Sequence, residues 1–83
     1  MSSPINFEII MAKLPPSAQK IYLLLAAEEN GLTTKEIVRR VTFTSRTVRY
    51  ALKKLLAMGL IQRSPYLLDM RQFKYRISKV ETR

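Results

Sequence analysis

The 83-residue sequence contains no cysteine, no histidine and no tryptophan. The absence of cysteine excludes disulfide bonds and thiolate metal sites, and it fits a cytoplasmic protein better than a secreted one. Without histidine, the chain lacks the commonest general base and the commonest metal ligand. We therefore expect a protein that is not an enzyme, with no catalytic residues, no bound metal and no cofactor.

Long apolar segments are also missing. The longest uninterrupted run, residues 21–27, is far too short to span a bilayer. No basic stretch precedes an apolar one at the start of the sequence, so we expect no signal peptide and no association with a membrane. Apolar residues still make up 47% of the chain. This content is enough for one hydrophobic core, and we expect a single domain over residues 1–83.

Acidic residues are scarce and unevenly placed. The chain has six of them against 15 lysines and arginines, for a formal net charge of +9. No acid occurs between Glu36 and Asp69, although this stretch carries many basic residues. A basic field of this kind attracts polyanions such as nucleic acids. The scattered acids do not form the carboxylate cluster that a two-metal nuclease needs.

Residues 4–14 permit two interpretations, because their apolar side chains fit both a helical and an alternating spacing. A serine followed by a proline opens the segment, which is typical of a helix start, so we favour a helix over an edge strand. Such a helix is apolar on two sides, and the core of one small domain covers only one of them. We therefore predict a homodimer whose interface contains Ile5, Phe7, Ile9 and Ile10.

Two further helices are indicated by apolar spacing and by end signals. The first covers residues 16–30 and ends at the Asn30-Gly31 pair, a common helix stop. The second covers residues 34–41. Its start matches a capping box, in which Thr33 and Glu36 each bond the other's backbone N–H.

The last helix and a hairpin complete the predicted fold. Thr44 or Ser45 caps the helix, which extends to residue 58 and completes a three-helix core over residues 15–58. Its predicted inward stripe is Val48, Leu52, Leu55 and Leu56. Two strands, residues 60–63 and 72–78, then form a hairpin over residues 60–78, and the second strand alternates strictly between apolar and basic residues.

This order of elements resembles the winged helix-turn-helix domains of MarR and ArsR type. The motifs that carry the resemblance are Leu32-Thr33-Thr34-Lys35-Glu36-Ile37, Ser45-Arg46-Thr47-Val48-Arg49-Tyr50-Ala51-Leu52-Lys53-Lys54-Leu55, Met58-Gly59-Leu60-Ile61 and Asp69-Met70-Arg71. The resemblance implies an α+β, mostly α fold: a three-helix core with a C-terminal β-hairpin wing, plus the N-terminal helix. It also implies a transcriptional regulator that binds double-stranded DNA sequence-specifically.

The resemblance further implies how the DNA is held. The recognition helix, residues 45–58, enters the major groove, and the wing, residues 64–72, meets the minor groove. In the wing, Asp69 orients the hairpin and Arg71 enters the groove. The predicted DNA-binding residues are Lys35, Thr44, Ser45, Arg46, Thr47, Arg49, Tyr50, Lys53, Lys54, Arg63, Arg71 and Lys74.

Physical roles can be assigned within this set. Arg46 and Arg49 suit bidentate contacts with guanine, because a guanidinium presents two parallel donors. Lys53 and Lys54 lie a turn further on, where contact with the DNA backbone is expected.

The sequence departs from the family pattern in two places. The wing loop contains Tyr66, Leu67, Leu68 and Met70, which we expect either to fold back on the core or to contact a partner chain. The long flanking helices that build the dimer and the ligand pocket of MarR-type proteins are not present, so we expect no small-molecule ligand.

Two other functions stay open, because a fold does not define a function. One is a protein-interaction subunit of a transcription or replication assembly, which would not need so many outward arginines. The other is RNA binding through the same basic face. Against RNA binding, Phe43, Phe73 and Tyr75 are expected in the core, where they cannot stack on bases.

Overall fold

The computed structural model describes the backbone of residues 4–78 and the side chains of residues 8–78. Its elements are α1 (Pro4–Lys13), α2 (Pro16–Ala26), β1 (Leu32–Thr33), α3 (Thr34–Arg40), α4 (Ser45–Ala57), β2 (Ile61–Pro65) and β3 (Phe73–Ile77). The strands form one antiparallel sheet in the order β1-β3-β2. The predicted α+β, mostly helical winged helix-turn-helix fold is confirmed. In the described part of the chain, no helix has the length and apolar character needed to cross a bilayer.

One hydrophobic core joins the helices to the sheet. Its buried apolar members are Leu14, Ala18, Ile21, Leu25, Leu32, Ile37, Val48, Ala51, Leu52, Leu55, Ile61 and Tyr75. Three of the four residues of the predicted α4 stripe, Val48, Leu52 and Leu55, are among them, and Leu56 is half-buried against the core. The opposite side of α4 is therefore held toward solvent, because side chains three and four residues apart share one helix face.

Side-chain caps determine where α3 and α4 begin. The Glu36 N–H donates to Thr33 Oγ1 at 3.2 Å, and the Thr33 N–H donates to Glu36 Oε1 at 2.8 Å. This is the predicted capping box. Of the two candidate caps for α4, Thr44 fills the position, because its Oγ1 accepts the Thr47 N–H at 3.2 Å. Both helices of the helix-turn-helix therefore start where the sequence predicted.

All four helices end earlier than predicted, and α1 and α4, which end at Lys13 and Ala57, do so by one residue. α2 ends at Ala26 rather than near residue 30. The N–H groups of Ala27 and Glu28 bond carbonyls three residues back, at 3.2 and 3.0 Å, which tightens the last turn and ends the helix. α3 ends at Arg40 rather than at residue 41, because Val41 has extended backbone angles. The Asn30-Gly31 pair belongs to the turn between α2 and β1.

The strand β1 was not predicted. Leu32 pairs with Tyr75 and Thr33 pairs with Lys74 of β3, so the sheet has three strands instead of a two-stranded hairpin. A strand of two residues shows no alternation, and the sequence therefore carries no periodic signal for it. The pairing attaches the start of α3 to the wing.

The two wing strands are displaced slightly from the predicted ranges. β2 covers Ile61–Pro65 instead of residues 60–63, and β3 covers Phe73–Ile77 instead of residues 72–78. The register pairs Ile61 with Ile77 at the base of the hairpin and Pro65 with Phe73 at its far end.

α1 is a helix, which confirms the favoured interpretation of residues 4–14. Leu14, just past its end, is buried, and Met11 packs against the core. Gln19 of α2 donates from Nε2 to the carbonyls of Met11 and Leu14, at 2.7 and 3.0 Å. The C-terminal end of α1 is therefore fastened to the core.

The two glycines give a matched test of the contact between the α2–β1 turn and β3. Gly31 and Gly59 have φ angles of 81° and 73°. A Cβ at Gly31 would lie 2.7 Å from the Tyr75 carbonyl oxygen, whereas one at Gly59 would meet nothing within 4 Å. We expect Gly59→Ala to lower the free energy of unfolding by about 1–2 kcal/mol, from left-handed strain alone. Gly31→Ala should lower it by about 3 kcal/mol or more, because the clash with β3 adds to the strain.

Urea unfolding of the two variants measures this difference. Equal losses for both glycines would show that the close approach of Gly31 to β3 does not contribute to stability.

Candidate nucleic-acid interface

The outward face of α4 is exposed and basic. Its exposed residues are Ser45, Arg46, Arg49, Tyr50, Lys53 and Ala57. This face lies opposite the buried stripe and comes from the acid-free stretch of the sequence. An exposed helix of this kind can enter the major groove, where each base pair displays a distinct pattern of donors and acceptors.

The N-terminal cap of α4 involves Thr44 and Thr47, which were both predicted to bind DNA. The Thr44 hydroxyl donates to Thr47 Oγ1 at 3.0 Å and also accepts the Thr47 N–H. Both side chains are thus engaged within the protein at the start of α4. Ser45 has an exposed side chain at the same helix end, whereas Lys54 is half-buried.

An open cleft of about 540 Å³ lies between α4 and the hairpin. It is lined by Arg49, Leu52, Lys53, Leu56, Arg63 and Tyr75. Half of these residues are cations and none is an acid, so the cleft has an apolar floor and a positive rim. Three cations around one concave surface suit a phosphate group of a nucleic-acid backbone.

The hairpin holds its cations against aromatic rings. The guanidinium carbon of Arg63 lies 4.4 Å from the centre of the Phe73 ring, and Lys74 Nζ lies 5.5 Å from the centre of the Tyr66 ring. Contacts of this kind attract a cation to the ring face and orient its side chain. The expectation that Phe73 is a core residue is wrong, because 38% of it is exposed and its ring supports Arg63 instead. Tyr75 is buried, as predicted.

The wing loop is braced by one carboxylate. Asp69 Oδ1 accepts the backbone N–H of Arg71 at 3.1 Å and its Nε–H at 3.4 Å, and Asp69 Oδ2 accepts from Gln72 Nε2 at 2.9 Å. Backbone bonds of 2.9–3.0 Å also link Tyr66, Asp69 and Gln72. The hydrogen bond from Gln72, followed by the one from the Arg71 backbone, lowers the pKa of the Asp69 carboxyl, and Lys35 adds a smaller electrostatic attraction.

Two predicted contact residues extend from the braced region. The Arg71 side chain is 93% exposed beyond its Asp69 contact, so it points away from the protein. Lys35 is exposed at the start of α3. The pairing of β1 with β3 brings the start of α3 close to the wing. Lys35, at this helix start, therefore helps to lower the pKa of the Asp69 carboxyl.

The apolar residues of the wing loop do not fold back on the core. Leu67, Leu68 and Met70 are 81%, 85% and 66% exposed. The first of the two expectations for this loop is therefore wrong.

The predicted dimer residues are described only in part. The side chains of Ile5 and Phe7 lie outside the described residues. Ile9 is 48% exposed and Ile10 is half-buried.

Other charged groups do not form a site. Glu28 accepts from Arg40 at 2.7 Å, so this cation is already paired near the end of α3. Within residues 8–78, no three acidic side chains come together in a way that could hold a metal ion. The supporting roles of Tyr66, Gln72 and Phe73 were missed from the sequence. The alternation of β3 placed Phe73 on the same face as Tyr75, but the diagonal contact with Arg63 depends on the register.

Comparison with known proteins identifies the class. The family described as winged helix-turn-helix DNA-binding matches residues 16–62, more than half of the chain. The chain therefore belongs to the winged helix-turn-helix DNA-binding family. No curated protein sequence gave a significant match.

Solved structures show the same fold. A crystal structure titled as the S. aureus MepR–DNA complex has a TM-score of 0.75 and 21% identity, over 89% of this chain and 60% of that one. A crystal structure of MarR has a TM-score of 0.75 and 19% identity, over 90% and 54%. S. aureus MepR bound to ethidium bromide has a TM-score of 0.68 and 21% identity, over 94% and 66%. The chain thus spans between half and two thirds of the length of these neighbours.

Because Asp69 braces the wing loop, we predict that the conformation of this loop depends on pH. The ionised carboxylate accepts the bonds from Arg71 and Gln72, and its pKa in the folded protein lies below the ordinary value of 3.8. Because the pKa of the Asp69 carboxyl is depressed, its hydrogen bonds are complete at pH values above the ordinary carboxyl pKa. They are lost as the pH falls through the depressed pKa. In NMR titrations, we expect the backbone amide signals of Arg71 and Gln72 to move together, with a midpoint below 3.8.

Asp69→Asn is the control for this titration, because it removes the ionisation and should abolish the transition in both amide signals. A midpoint at or above the ordinary carboxyl value would contradict the bracing role.

Proposed function

We propose that this protein is a transcriptional regulator that binds double-stranded DNA sequence-specifically. The observation that carries the proposal is the continuous basic surface formed by the outward face of α4 and the cleft of Arg49, Lys53 and Arg63. Membership of a DNA-binding family supports it. Among the structural neighbours, one MepR structure is titled as a complex with DNA.

In the proposed complex, α4 lies in the major groove and the hairpin follows the neighbouring backbone into the minor groove. Arg46 and Arg49 read base edges, with Arg49 at the border of the cleft. Lys53 and Arg63 bind the phosphate that the cleft receives. Lys35, Lys74 and Arg71 contact the DNA beside the wing.

Binding measurements on variants of α4 test this function. We expect wild-type affinity for duplex DNA to fall by about 10³–10⁵ between 50 and 200 mM salt, if a dimer contacts about 6–10 phosphates. Arg46→Ala should cost about 1–3 kcal/mol on a duplex selected from a random pool, and should relax preference for that sequence. Lys53→Ala should weaken selected and random duplexes equally and reduce the salt slope by about 1.

Fluorescence anisotropy on selected duplex, random duplex, single-stranded DNA and duplex RNA gives all of these quantities. Lys20→Ala is the matched control, because Lys20 is an exposed lysine of α2 that belongs neither to α4 nor to the cleft. Binding that ignores salt, or that prefers RNA, would contradict the proposal. If Arg46→Ala and Lys53→Ala behave alike on both duplexes, α4 does not read sequence.

The proposed regulator is a homodimer built on α1. Contacts with the core occupy Met11 and Leu14, while Ile9 and Ala12 on another side of the helix are exposed. We expect a two-fold partner to cover this apolar side, and the proposed interface residues remain Ile5, Phe7, Ile9 and Ile10. Such a dimer presents two recognition helices to the DNA, and the spacing of paired sites follows from its symmetry.

Ile9→Glu tests the dimer. We expect sedimentation to show a dimer for the wild type at micromolar concentration and a folded monomer for Ile9→Glu, because a buried unpaired charge opposes association. Leu23→Glu is the control: it places the same acid at an exposed apolar position of α2, outside the proposed interface helix. A wild-type monomer that binds a single half-site tightly would overturn the assignment.

A further inference from the structure

We infer that the wing tip, defined as Leu67, Leu68 and Met70, is an apolar wedge that enters the minor groove and unstacks a base step. The inference rests on the proposed DNA binding and specifies how the wing engages the duplex. Inserted apolar side chains of this kind bend DNA toward the major groove.

The high exposure of the wing tip indicates an interaction site. Leu67 and Leu68 are adjacent in sequence and more exposed than any other large apolar residue in the described part of the chain. Single exposed leucines are common on protein surfaces, but contiguous exposed apolar groups mark interaction sites. The tip of a hairpin is also the part of the fold that reaches furthest into a groove.

The loop that carries the wing tip is closed by hydrogen bonds. Backbone bonds at 2.9–3.0 Å close it across Tyr66, Asp69 and Gln72. The Asp69 carboxylate adds bonds to both Arg71 and Gln72. A braced loop loses little conformational freedom on binding, which favours insertion of its apolar side chains.

The positive charges around the wing tip favour DNA as its binding partner. The wing tip is accompanied by the exposed cations Arg71 and Lys35 and by Lys74 and Arg63 on the hairpin, and the one acid of the loop, Asp69, is engaged by its neighbours. A second copy of a chain with net charge +9 would bring like charges together here. DNA offers phosphates to the cations and the faces of unstacked bases to the leucines. Arg63 of the same hairpin also lines the cleft beside α4.

The double variant Leu67→Ser/Leu68→Ser tests the wedge. Its matched control is Leu23→Ser, which removes a leucine that is 62% exposed on α2. Bending is measured by energy transfer between dyes at the two ends of a duplex selected from a random pool. Unwinding is measured with a nicked plasmid. The nick is ligated while the protein is bound, the protein is removed, and the linking number of the closed plasmid is determined.

We expect the wild type and Leu23→Ser to bend the duplex by about 20–90° and to lower the linking number. The double variant should retain salt-dependent duplex binding but lose more than half of the bend and of the change in linking number. Thermal unfolding of the double variant should match the wild type, because both replaced side chains are exposed.

Three results would overturn the inference. Equal bending and unwinding by the wild type and the double variant would leave the tip without a role as a wedge, while DNA binding itself stands. Association of the free wild type that the double variant lacks would make the tip a protein interface. Capture of the wild type by anionic lipid vesicles, lost in the double variant, would make it a membrane contact. Failure of the wild type to bind any duplex would instead reject the proposed function as a whole.

Discussion

The burial of one side of α4 is the constraint on which the rest of the structure depends. Val48, Leu52 and Leu55 pack into the core from a helix whose other side carries arginines and a lysine. Burial of the apolar stripe stabilises the fold and at the same time determines where the cations point. Rotation of the helix about its axis would bury charge and expose leucine, and both changes are unfavourable. The same packing that forms the core therefore also presents the basic face.

The sheet extends this basic face beyond a single helix. Through the pairing of β2 with β3, Arg63 lies beside α4, and Phe73 supports its guanidinium from the neighbouring strand. The short pairing of β1 with β3 brings the start of α3, with Lys35, close to the wing loop. Elements that are distant in sequence thus contribute to one surface. Long-range attraction of a polyanion depends on this combined field more than on any one cation.

The wing combines two kinds of side chain that have opposite preferences for water. The Asp69 carboxylate accepts hydrogen bonds within the loop and braces the turn, while the Arg71 side chain extends into solvent. Leucines occupy the tip, where they are 81% and 85% exposed in the free protein. Exposure of apolar groups on a braced loop is unfavourable in the unbound state, and a bound partner relieves it. The proposed insertion into DNA would use this exposure.

Local physical rules determined much of this protein from sequence alone. The capping residues defined the starts of α3 and α4, the apolar spacing defined the buried stripe of α4, and the segregation of charge indicated a polyanion as partner. These signals act between residues a few positions apart, so the sequence displays them directly. Only the tertiary structure decided what depends on distant contacts: the two-residue strand β1, the cleft shared by Arg49, Lys53 and Arg63, the placement of Phe73 under a guanidinium, and the exposure of the wing leucines. Strand register and packing between elements set these features, and no local pattern encodes them.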